Sequence, residues 1–295
     1  MKILITGASG SLGGHIYRLA SQDNELNVTG VKSHASEECP DLLTLDLSDK
    51  KQITEFCQSR SFDAVIHTAA IASVEQCRLN PELARAVNRD GTKYLLQKLK
   101  KSNSQIRSLY VSTDMVFHGE EAPFDEFKEI NPLSEYGRSK VAGEEVFSSI
   151  GGDVIVRLPL MFGFSANGRR TFFDEQVERI QSNEELRLFN DEWRTPISYR
   201  YAAIALLDIL KSSFKGLIHV AGENRVSRFE FGRLIGALLG SAGENITQVS
   251  VRDVKLAEPR ARDLSLDISL WGREFPRHLE VGLEESLKEE FLVNP

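Results

Sequence analysis

Short, continuous apolar runs alternate with longer amphipathic segments through the first half of the chain. The runs cover residues 2–6, 28–31, 42–45, 64–67, 108–112 and 154–157. Strands that are apolar at every position, rather than at every second one, are typical of a parallel sheet buried on both faces. Helix signals lie between them: Ser48 precedes an amphipathic run to Ser59, and Asn80-Pro81 opens one that continues through Lys101. The pattern predicts a doubly wound α/β Rossmann fold.

The alternation becomes irregular beyond Arg157. Helical patterns cover 171–182, 199–211, 227–239 and 284–291, and strand patterns cover 186–189 and 217–220. We therefore expect a dinucleotide-binding domain at 1–165 and a smaller, mixed α/β substrate lobe at 166–295. Some segments of that lobe are expected to return to the main sheet. In such folds ligands bind at the carboxyl ends of the strands, so the search for function starts there.

Composition and charge narrow the function classes. The 295 residues carry a net charge of −7 with a pI near 5.5, which gives no footprint for nucleic acid or an anionic membrane. Cys39, Cys57 and Cys77 lack the spacing of a metal site and are expected to be reduced thiols. The apolar N-terminal run is too short for a signal peptide, and no run approaches the roughly 20 residues that span a bilayer. We expect a soluble cytoplasmic protein without a metal; its oligomeric state is open, and a homodimer is compatible with the sequence.

A glycine-rich turn follows the first strand and opens the first helix. In the segment Thr6-Gly7-Ala8-Ser9-Gly10-Ser11-Leu12-Gly13, the glycines allow a tight turn that brings backbone amides close to a diphosphate. The turn predicts a nicotinamide dinucleotide as cofactor.

The segments after the second and third strands bear on which dinucleotide is bound. After the second strand the chain reads Gly-Val-Lys-Ser-His, with Lys32 where a ribose-binding carboxylate is usual. NADP(H) is therefore favoured over NAD(H), unless Lys32 is a solvated loop residue. Asp46 and Leu47 are positioned to contact the adenine; alternatively, Asp46 or Ser48 only caps the next helix.

Two further segments suggest acid–base chemistry. Tyr136 and Lys140 are four residues apart in a predicted helix, so they share a face, and Thr113 ends a predicted strand. A tyrosine with a pKa of about 10 transfers protons poorly at neutral pH, and a neighbouring ammonium would lower that pKa. The expectation is a proton donor, Tyr136, assisted by Lys140, with Thr113 orienting a carbonyl oxygen.

Seven motifs occur in the order found in the extended short-chain dehydrogenase/reductase superfamily. They are ITGASGSLG at 5–13, LDL at 45–47, HTAA at 67–70, NRDGT at 88–92, STDMVF at 112–117, YGRSK at 136–140 and VRLPLMFG at 156–163. Within the superfamily, STDMVF and YGRSKVAGE resemble the dTDP-4-dehydrorhamnose reductase group, whose members reduce a 4-keto sugar nucleotide with NAD(P)H.

The resemblance implies roles for individual residues. Thr113 and Tyr136 would contact the carbonyl and Lys140 the cofactor ribose. The residues implied along the diphosphate are Gly7, Ser9, Gly10, Ser11 and Leu12. Those implied to line the cofactor channel are Thr68, Ala69 and Ala70, and those implied near the nicotinamide are Arg157, Leu158 and Pro159. Asp114 would either touch the substrate or fix its own loop.

The resemblance weakens towards the substrate. Met115 stands where the group usually has an aromatic residue, and in the C-terminal lobe Arg194-Thr195-Pro196 is the best local match. Arg194, Arg260 and Arg262 are candidates to bind a substrate diphosphate, although surface ion-pair residues would have the same sequence pattern.

Three functions are compatible with these observations. The first is an NADP-preferring 4-keto reductase acting on a deoxysugar nucleotide. The second is a sugar-nucleotide epimerase or dehydratase that retains its cofactor. The third follows from a resemblance to the β subunit of methionine adenosyltransferase and is an NADP-binding regulatory subunit without catalysis.

Overall fold

The computed structural model describes residues 1–34, 39–276 and 282–293. The strands are β1 (Lys2–Thr6), β2 (Asn27–Lys32), β3 (Leu43–Thr44), β4 (Ala64–His67), β5 (Arg107–Thr113), β6 (Val154–Leu158), β7 (Met161–Phe162), β8 (Leu186–Phe189), β9 (Trp193–Arg194), β10 (Ile197–Ser198), β11 (Gly216–His219), β12 (Val226–Ser227) and β13 (Ile246–Val249). The helices are α1 (Ser11–Ser21), α2 (Lys50–Gln58), α3 (Val74–Leu79), α4 (Pro81–Arg85), α5 (Thr92–Ser102), α6 (Glu135–Ser149), α7 (Phe172–Gln181), α8 (Tyr199–Lys211), α9 (Arg228–Leu238), α10 (Ser269–Glu274) and α11 (Leu283–Val293).

Seven strands form one parallel sheet in the order β3-β2-β1-β4-β5-β6-β11. The chain starts in the middle at β1, winds outward to β3, then crosses to β4 and winds the other way. This topology confirms the predicted doubly wound Rossmann fold, and the reversal between β1 and β4 creates a crevice at the carboxyl edge. The last strand, β11, comes from beyond residue 165 and pairs with β6.

Helices cover both faces of the sheet because the strands are apolar on both sides. On one face α1 and α8 pack over the sheet through Ile16, Leu206 and Ile209. On the other face α2 and α5 contribute Ile53 and Leu95. All five side chains are buried. The helical layers thus cover both faces of the sheet and leave its carboxyl edge open.

The remaining elements form a smaller mixed part above that edge. It contains three two-stranded sheets, β7 with β10, β9 with β12, and β8 with β13. Its core combines aliphatic side chains with three fully buried phenylalanines, Phe162, Phe173 and Phe231. β8 coincides with the strand predicted at 186–189, whereas the other five strands were not predicted. Four of those five have only two residues, which leave no periodicity to read.

Two local predictions need correction. The predicted helix cap Ser48 is not the cap of α2; the Asp49 carboxylate accepts from the Lys51 and Gln52 amides instead. The helix predicted from Asn80 through Lys101 is interrupted by a π-helical turn at Ala86–Gly91. In the described residues no helix is long and apolar enough to cross a bilayer, and no three metal-ligating side chains converge.

Candidate active site

A cleft of about 1480 Å³ lies at the carboxyl edge, between the sheet and the smaller part. Most residues singled out from the sequence line it: Gly7, Ser9, Gly10, Ser11, Leu12, Lys32, Asp46, Leu47, Thr68, Ala69, Ala70, Thr113, Asp114, Tyr136, Lys140, Leu158, Pro159 and Arg194. Pockets for one small ligand are usually about 300–1,000 Å³. The cleft therefore has room for a dinucleotide and a second molecule.

The glycine turn forms a cradle at one end of the cleft. Gly7 has φ of +68°, and a Cβ there would lie 2.9 Å from the Ala69 backbone. A Cβ on Gly13 would lie 2.1 Å from the Gly7 carbonyl oxygen. The first backbone bond of α1 runs from Gly14 to Gly10, so the amides before Gly14 are available at the helix start, and its first turn holds no acidic residue. Such a cradle fits the negative charge of a dinucleotide diphosphate.

The adenosine end of the predicted site contains Lys32 and Asp46. Lys32 is 5% exposed at the end of β2, and its Nζ donates to the Cys39 carbonyl at 2.6 Å. Asp46 accepts from the Ser48 amide at 2.8 Å and from the Ser48 hydroxyl at 2.7 Å. Both side chains are thus tied to nearby chain segments while lining the cleft.

The segment after β4 is fixed by a buried histidine. His67 bonds the Thr6 hydroxyl at 2.7 Å and the Thr92 hydroxyl at 2.8 Å. Burial lowers the pKa of His67 to about 3, with a further contribution from Lys140, so the ring is neutral. Thr68 donates to the Thr6 carbonyl at 2.6 Å, and the Ala69 amide donates to the Thr6 hydroxyl at 3.2 Å. These bonds hold the wall of the cleft against the glycine turn.

The predicted catalytic hydroxyls converge where β5 ends. The Thr113 hydroxyl donates to Asp114 Oδ1 at 3.1 Å and accepts from the Met115 amide at 3.2 Å. Tyr136, in the first turn of α6, lies beside the Thr113 side chain and interacts with its hydroxyl. The close approach depends on Gly137, where a Cβ would lie 2.3 Å from the Met115 carbonyl oxygen. Thr113 and Tyr136 therefore form one polar pair facing the cleft.

Lys140 lies one turn from Tyr136 but does not act on it as expected. Its Nζ donates to the Val111 carbonyl at 2.7 Å and lies 4.1 Å from the centre of the Tyr110 ring. Burial raises the pKa of Tyr136 above its usual range, and the Asp114 carboxylate adds to the effect. The expectation that Lys140 lowers this pKa is wrong for this structure. The buried ammonium is paired with the Val111 carbonyl, since an unpaired buried cation is unfavourable.

Asp114 and Arg194 form a buried pair behind the hydroxyls. Burial raises the pKa of Asp114 to about 6, which Arg194 partly opposes. Arg194 Nε is 3.6 Å from Asp114 Oδ2, and the same guanidinium is 3.2 Å from Glu192 and 2.6 Å from the Trp193 carbonyl. Arg194 thus reaches the cleft wall, but its donors are directed at protein groups.

Two predicted residues do not line the cleft. Arg157 is buried below it, because it alternates with Leu158 along β6, and it binds Glu144 at 2.8 and 3.0 Å. Arg262 lies on the outer surface with its side chain 46% exposed, 3.9 Å from Asp191 and 5.9 Å from the Trp193 ring centre. The structure therefore does not bring either guanidinium to the proposed ligands.

Arg228 and Arg260 line the cleft, and Asn167 supports the glycine turn beside it; of the three, only Arg260 was singled out from the sequence. Arg228 opens α9 and stacks 4.6 Å from the Phe172 ring centre. Arg260 lines the cleft and pairs with Glu192 at 2.9 Å. Asn167 donates to the Ser9 carbonyl at 2.5 Å, which joins the glycine turn to the loop before α7. A capping box beginning at Ser227 could have placed Arg228 at a helix start, but no local signal indicates the other two contacts.

Comparison with known proteins agrees with this geometry. The family model for the RmlD substrate binding domain matches residues 1–291. The chain belongs to this family. A relative from Haloferax volcanii, the probable low-salt glycan biosynthesis reductase Agl14, is 31% identical over 278 residues, 91% of this chain and 90% of the relative. The resemblance inferred from the sequence motifs is thereby confirmed.

Other members and neighbours of the RmlD family extend the comparison. A dTDP-4-dehydrorhamnose reductase from Clostridium acetobutylicum has a crystal structure that superimposes with a TM-score of 0.85 at 26% identity, covering 99% of both chains. The methionine adenosyltransferase 2 subunit beta of Bos taurus is 24% identical over 97% of this chain and 87% of its own length. The likeness thus includes both an enzyme and a protein named as a subunit.

Proposed function

We propose that the protein is an NADP(H)-dependent reductase of the 4-keto group of a deoxysugar nucleotide. The observation that carries the proposal is the pairing of Thr113 and Tyr136 in the same cleft as the glycine cradle. A ketone between these hydroxyls would lie beside the place where a dinucleotide crossing the sheet edge ends. Relatives named as reductases, including the Haloferax volcanii protein, support this assignment.

The chain's own groups have distinct roles in this mechanism. The nicotinamide, when bound, supplies the hydride. Tyr136 donates the proton to the ketone oxygen, and Thr113 orients that oxygen by a hydrogen bond. The raised pKa of Tyr136 keeps its hydroxyl protonated at neutral pH, which suits a donor in the reductive direction. Lys140 would contact the cofactor ribose, and Asp114 holds the Thr113 hydroxyl in place.

The preference for NADP(H) is proposed from Lys32. An ammonium at the end of β2 would pair with the 2′-phosphate that distinguishes NADP from NAD. The neighbours Ser33 and His34 also line this end of the cleft and bond each other at 2.9 Å. A dTDP-4-dehydrorhamnose reductase from Bacillus anthracis was solved with NADP, and the Bordetella bronchiseptica enzyme WbmH with NAD⁺. Nicotinamide dinucleotides therefore occur in both forms among proteins of this fold.

The diphosphate of the sugar nucleotide is assigned to Arg228 and Arg260 rather than to Arg262. Within the described residues no carboxylate lies within 4 Å of the Arg228 guanidinium, which faces the cleft from the start of α9. Burial lowers the pKa of Arg228 to about 10, so it remains a cation at neutral pH. Guanidinium groups bind phosphate oxygens in bidentate fashion, and two from one wall suit a diphosphate.

The decisive test is turnover of a 4-keto sugar nucleotide. The protein is mixed with NADPH and a dTDP-4-keto-6-deoxyhexose, and absorbance at 340 nm is followed. We expect NADPH consumption and a reduced sugar nucleotide. Tyr136→Phe should lower the rate about 10²- to 10⁴-fold while NADPH binding persists. Full turnover by that variant would assign the proton donor to another group.

A second function is favoured by one comparison. The match to the bovine methionine adenosyltransferase subunit covers 97% of the chain described here. An NADP-binding regulatory subunit is therefore the competing proposal. NADPH binding without turnover of any keto sugar nucleotide, together with copurification of a synthetase, would favour it. A cofactor that stays bound through purification and supports epimerisation would instead favour an epimerase.

A further inference from the structure

A third side chain of α6 lies in line with Tyr136 and Lys140. Glu144 follows Lys140 by four residues, so the three occupy one helix face at consecutive turns. Each faces one of the last three residues of β5: Tyr136 lies beside the Thr113 hydroxyl, Lys140 donates to the Val111 carbonyl, and Glu144 accepts from Ser112 at 2.5 Å. The catalytic face of the helix is thus fixed to the strand that carries Thr113.

Glu144 is held as a buried carboxylate. It is 6% exposed, and Arg157, 3% exposed on β6, donates to both of its oxygens at 2.8 and 3.0 Å. With the Ser112 bond, three charge-assisted contacts join α6, β5 and β6. A bidentate arginine–carboxylate pair is among the strongest hydrogen-bonded ion pairs, and it fixes the Glu144 carboxylate one helical turn from Lys140.

The charged form of Lys140 is opposed by burial and favoured by Glu144. Burial lowers the pKa of Lys140 to about 7, while Glu144 acts in the opposite direction. The other ionisable groups around it are His67 on β4, Tyr110 on β5, and Cys77 on α3. His67 is neutral, and burial raises the pKa values of Cys77 and Tyr110, which are therefore neutral at pH 7 as well. Within the described part of the chain, Glu144 is the carboxylate that acts electrostatically on the ammonium.

We propose that Glu144, anchored by Arg157 and Ser112, is a positioning residue that keeps the Lys140 side chain charged and aligned for the cofactor. The inference rests on the proposed function, because it assigns Lys140 to the ribose of a bound dinucleotide. It gives Arg157 a role beneath the site instead of the nicotinamide contact that the sequence suggested.

The test measures the NADPH dissociation constant from pH 5.5 to 9 by fluorescence. Glu144→Gln keeps the shape and removes the charge, and the exposed neighbour Glu145→Gln is the matched control. Binding by the parent should weaken as pH rises through about 7, where Lys140 loses its proton. In Glu144→Gln that midpoint should fall by about one pH unit, which raises the dissociation constant at pH 7 about fivefold if only the charged form binds.

A double variant separates charge from packing. Glu144→Met with Arg157→Met replaces the buried pair by apolar side chains of similar length, which often preserves stability. We expect this double variant to be at least as stable to unfolding as Glu144→Gln. Its NADPH binding should show the same lowered pH midpoint as Glu144→Gln. A parent-like midpoint in either variant would overturn the inference and leave the pair a packing feature. Failure of the parent to bind NADPH would instead refute the proposed function.

Discussion

Replacing Asp114 by Asn should stabilise the protein at neutral pH. The carboxyl is 3% exposed, and its Oδ2 has no hydrogen-bond donor in the part of the chain that the structure describes. Burial raises its pKa from 3.8 to about 6, so the folded state holds the proton more tightly than the unfolded state. The stability from this group is complete below about pH 4 and is lost as pH rises through 6. At 1.36 kcal/mol per pKa unit, the loss is about 3 kcal/mol by pH 8.

Urea unfolding at pH 4.5 and pH 8, followed by circular dichroism, measures the effect. The free energy of unfolding of Asp114→Asn should exceed that of the parent by up to about 3 kcal/mol at pH 8 and by much less at pH 4.5. Asp49→Asn is the control with the opposite pH dependence. Hydrogen bonds from the Gln52 and Lys51 backbone amides lower the pKa of Asp49, so the stability that this carboxylate contributes is lost as pH falls. A gain for Asp114→Asn that is equal at both pH values would refute the reasoning, as would a loss at pH 8.

Three further substitutions test the cleft. In a fluorescence titration, Lys32→Ala should weaken NADPH binding about tenfold or more and leave NADH binding nearly unchanged, since a hydrogen bond to a charged group contributes about 1.5–3 kcal/mol. Equal losses of affinity for the two cofactors would exclude a contact between Lys32 and the 2′-phosphate. Gly13→Ala places a Cβ 2.1 Å from the Gly7 carbonyl oxygen, so it should lower the free energy of unfolding by about 1–3 kcal/mol and reduce the rise in melting temperature that NADPH causes. If both values stay unchanged, the glycine turn does not form the proposed diphosphate cradle. Arg228→Ala should abolish the binding of thymidine diphosphate to the NADPH complex, measured by calorimetry, whereas Arg262→Ala should bind it like the parent. The reverse result would show that Arg262, not Arg228, contacts the diphosphate.

The parts of the site predictable from the sequence are those built by short stretches of chain. The turn from Gly7 to Gly13 follows β1 and opens α1, so its geometry depends on a dozen consecutive residues. Tyr136 and Lys140 share a helix face because i and i+4 always do. The apolar strands reported a sheet buried on both faces before any pairing was known.

The errors concern where long side chains end. Arg157 and Leu158 are adjacent, yet only Leu158 lines the cleft, because side chains alternate along β6. Arg262 and Arg260 are two residues apart, and the first turns outward towards Asp191 while the second pairs with Glu192. The sequence showed equivalent cations at these positions, and their different environments come from chain segments about 70 residues away.

The sequence by itself determined the Rossmann fold, the glycine turn after β1 and the shared helix face of Tyr136 and Lys140, because periodicity, turn chemistry and helical spacing are local. Only the tertiary structure decided that Lys140 bonds Val111, that Glu144 pairs with Arg157, and that Asp114 is buried beside Arg194. These outcomes depend on burial and on partners from other elements. A buried charge must find whichever counter-charge or carbonyl the packing provides, and packing is set by the whole chain rather than by neighbours in sequence.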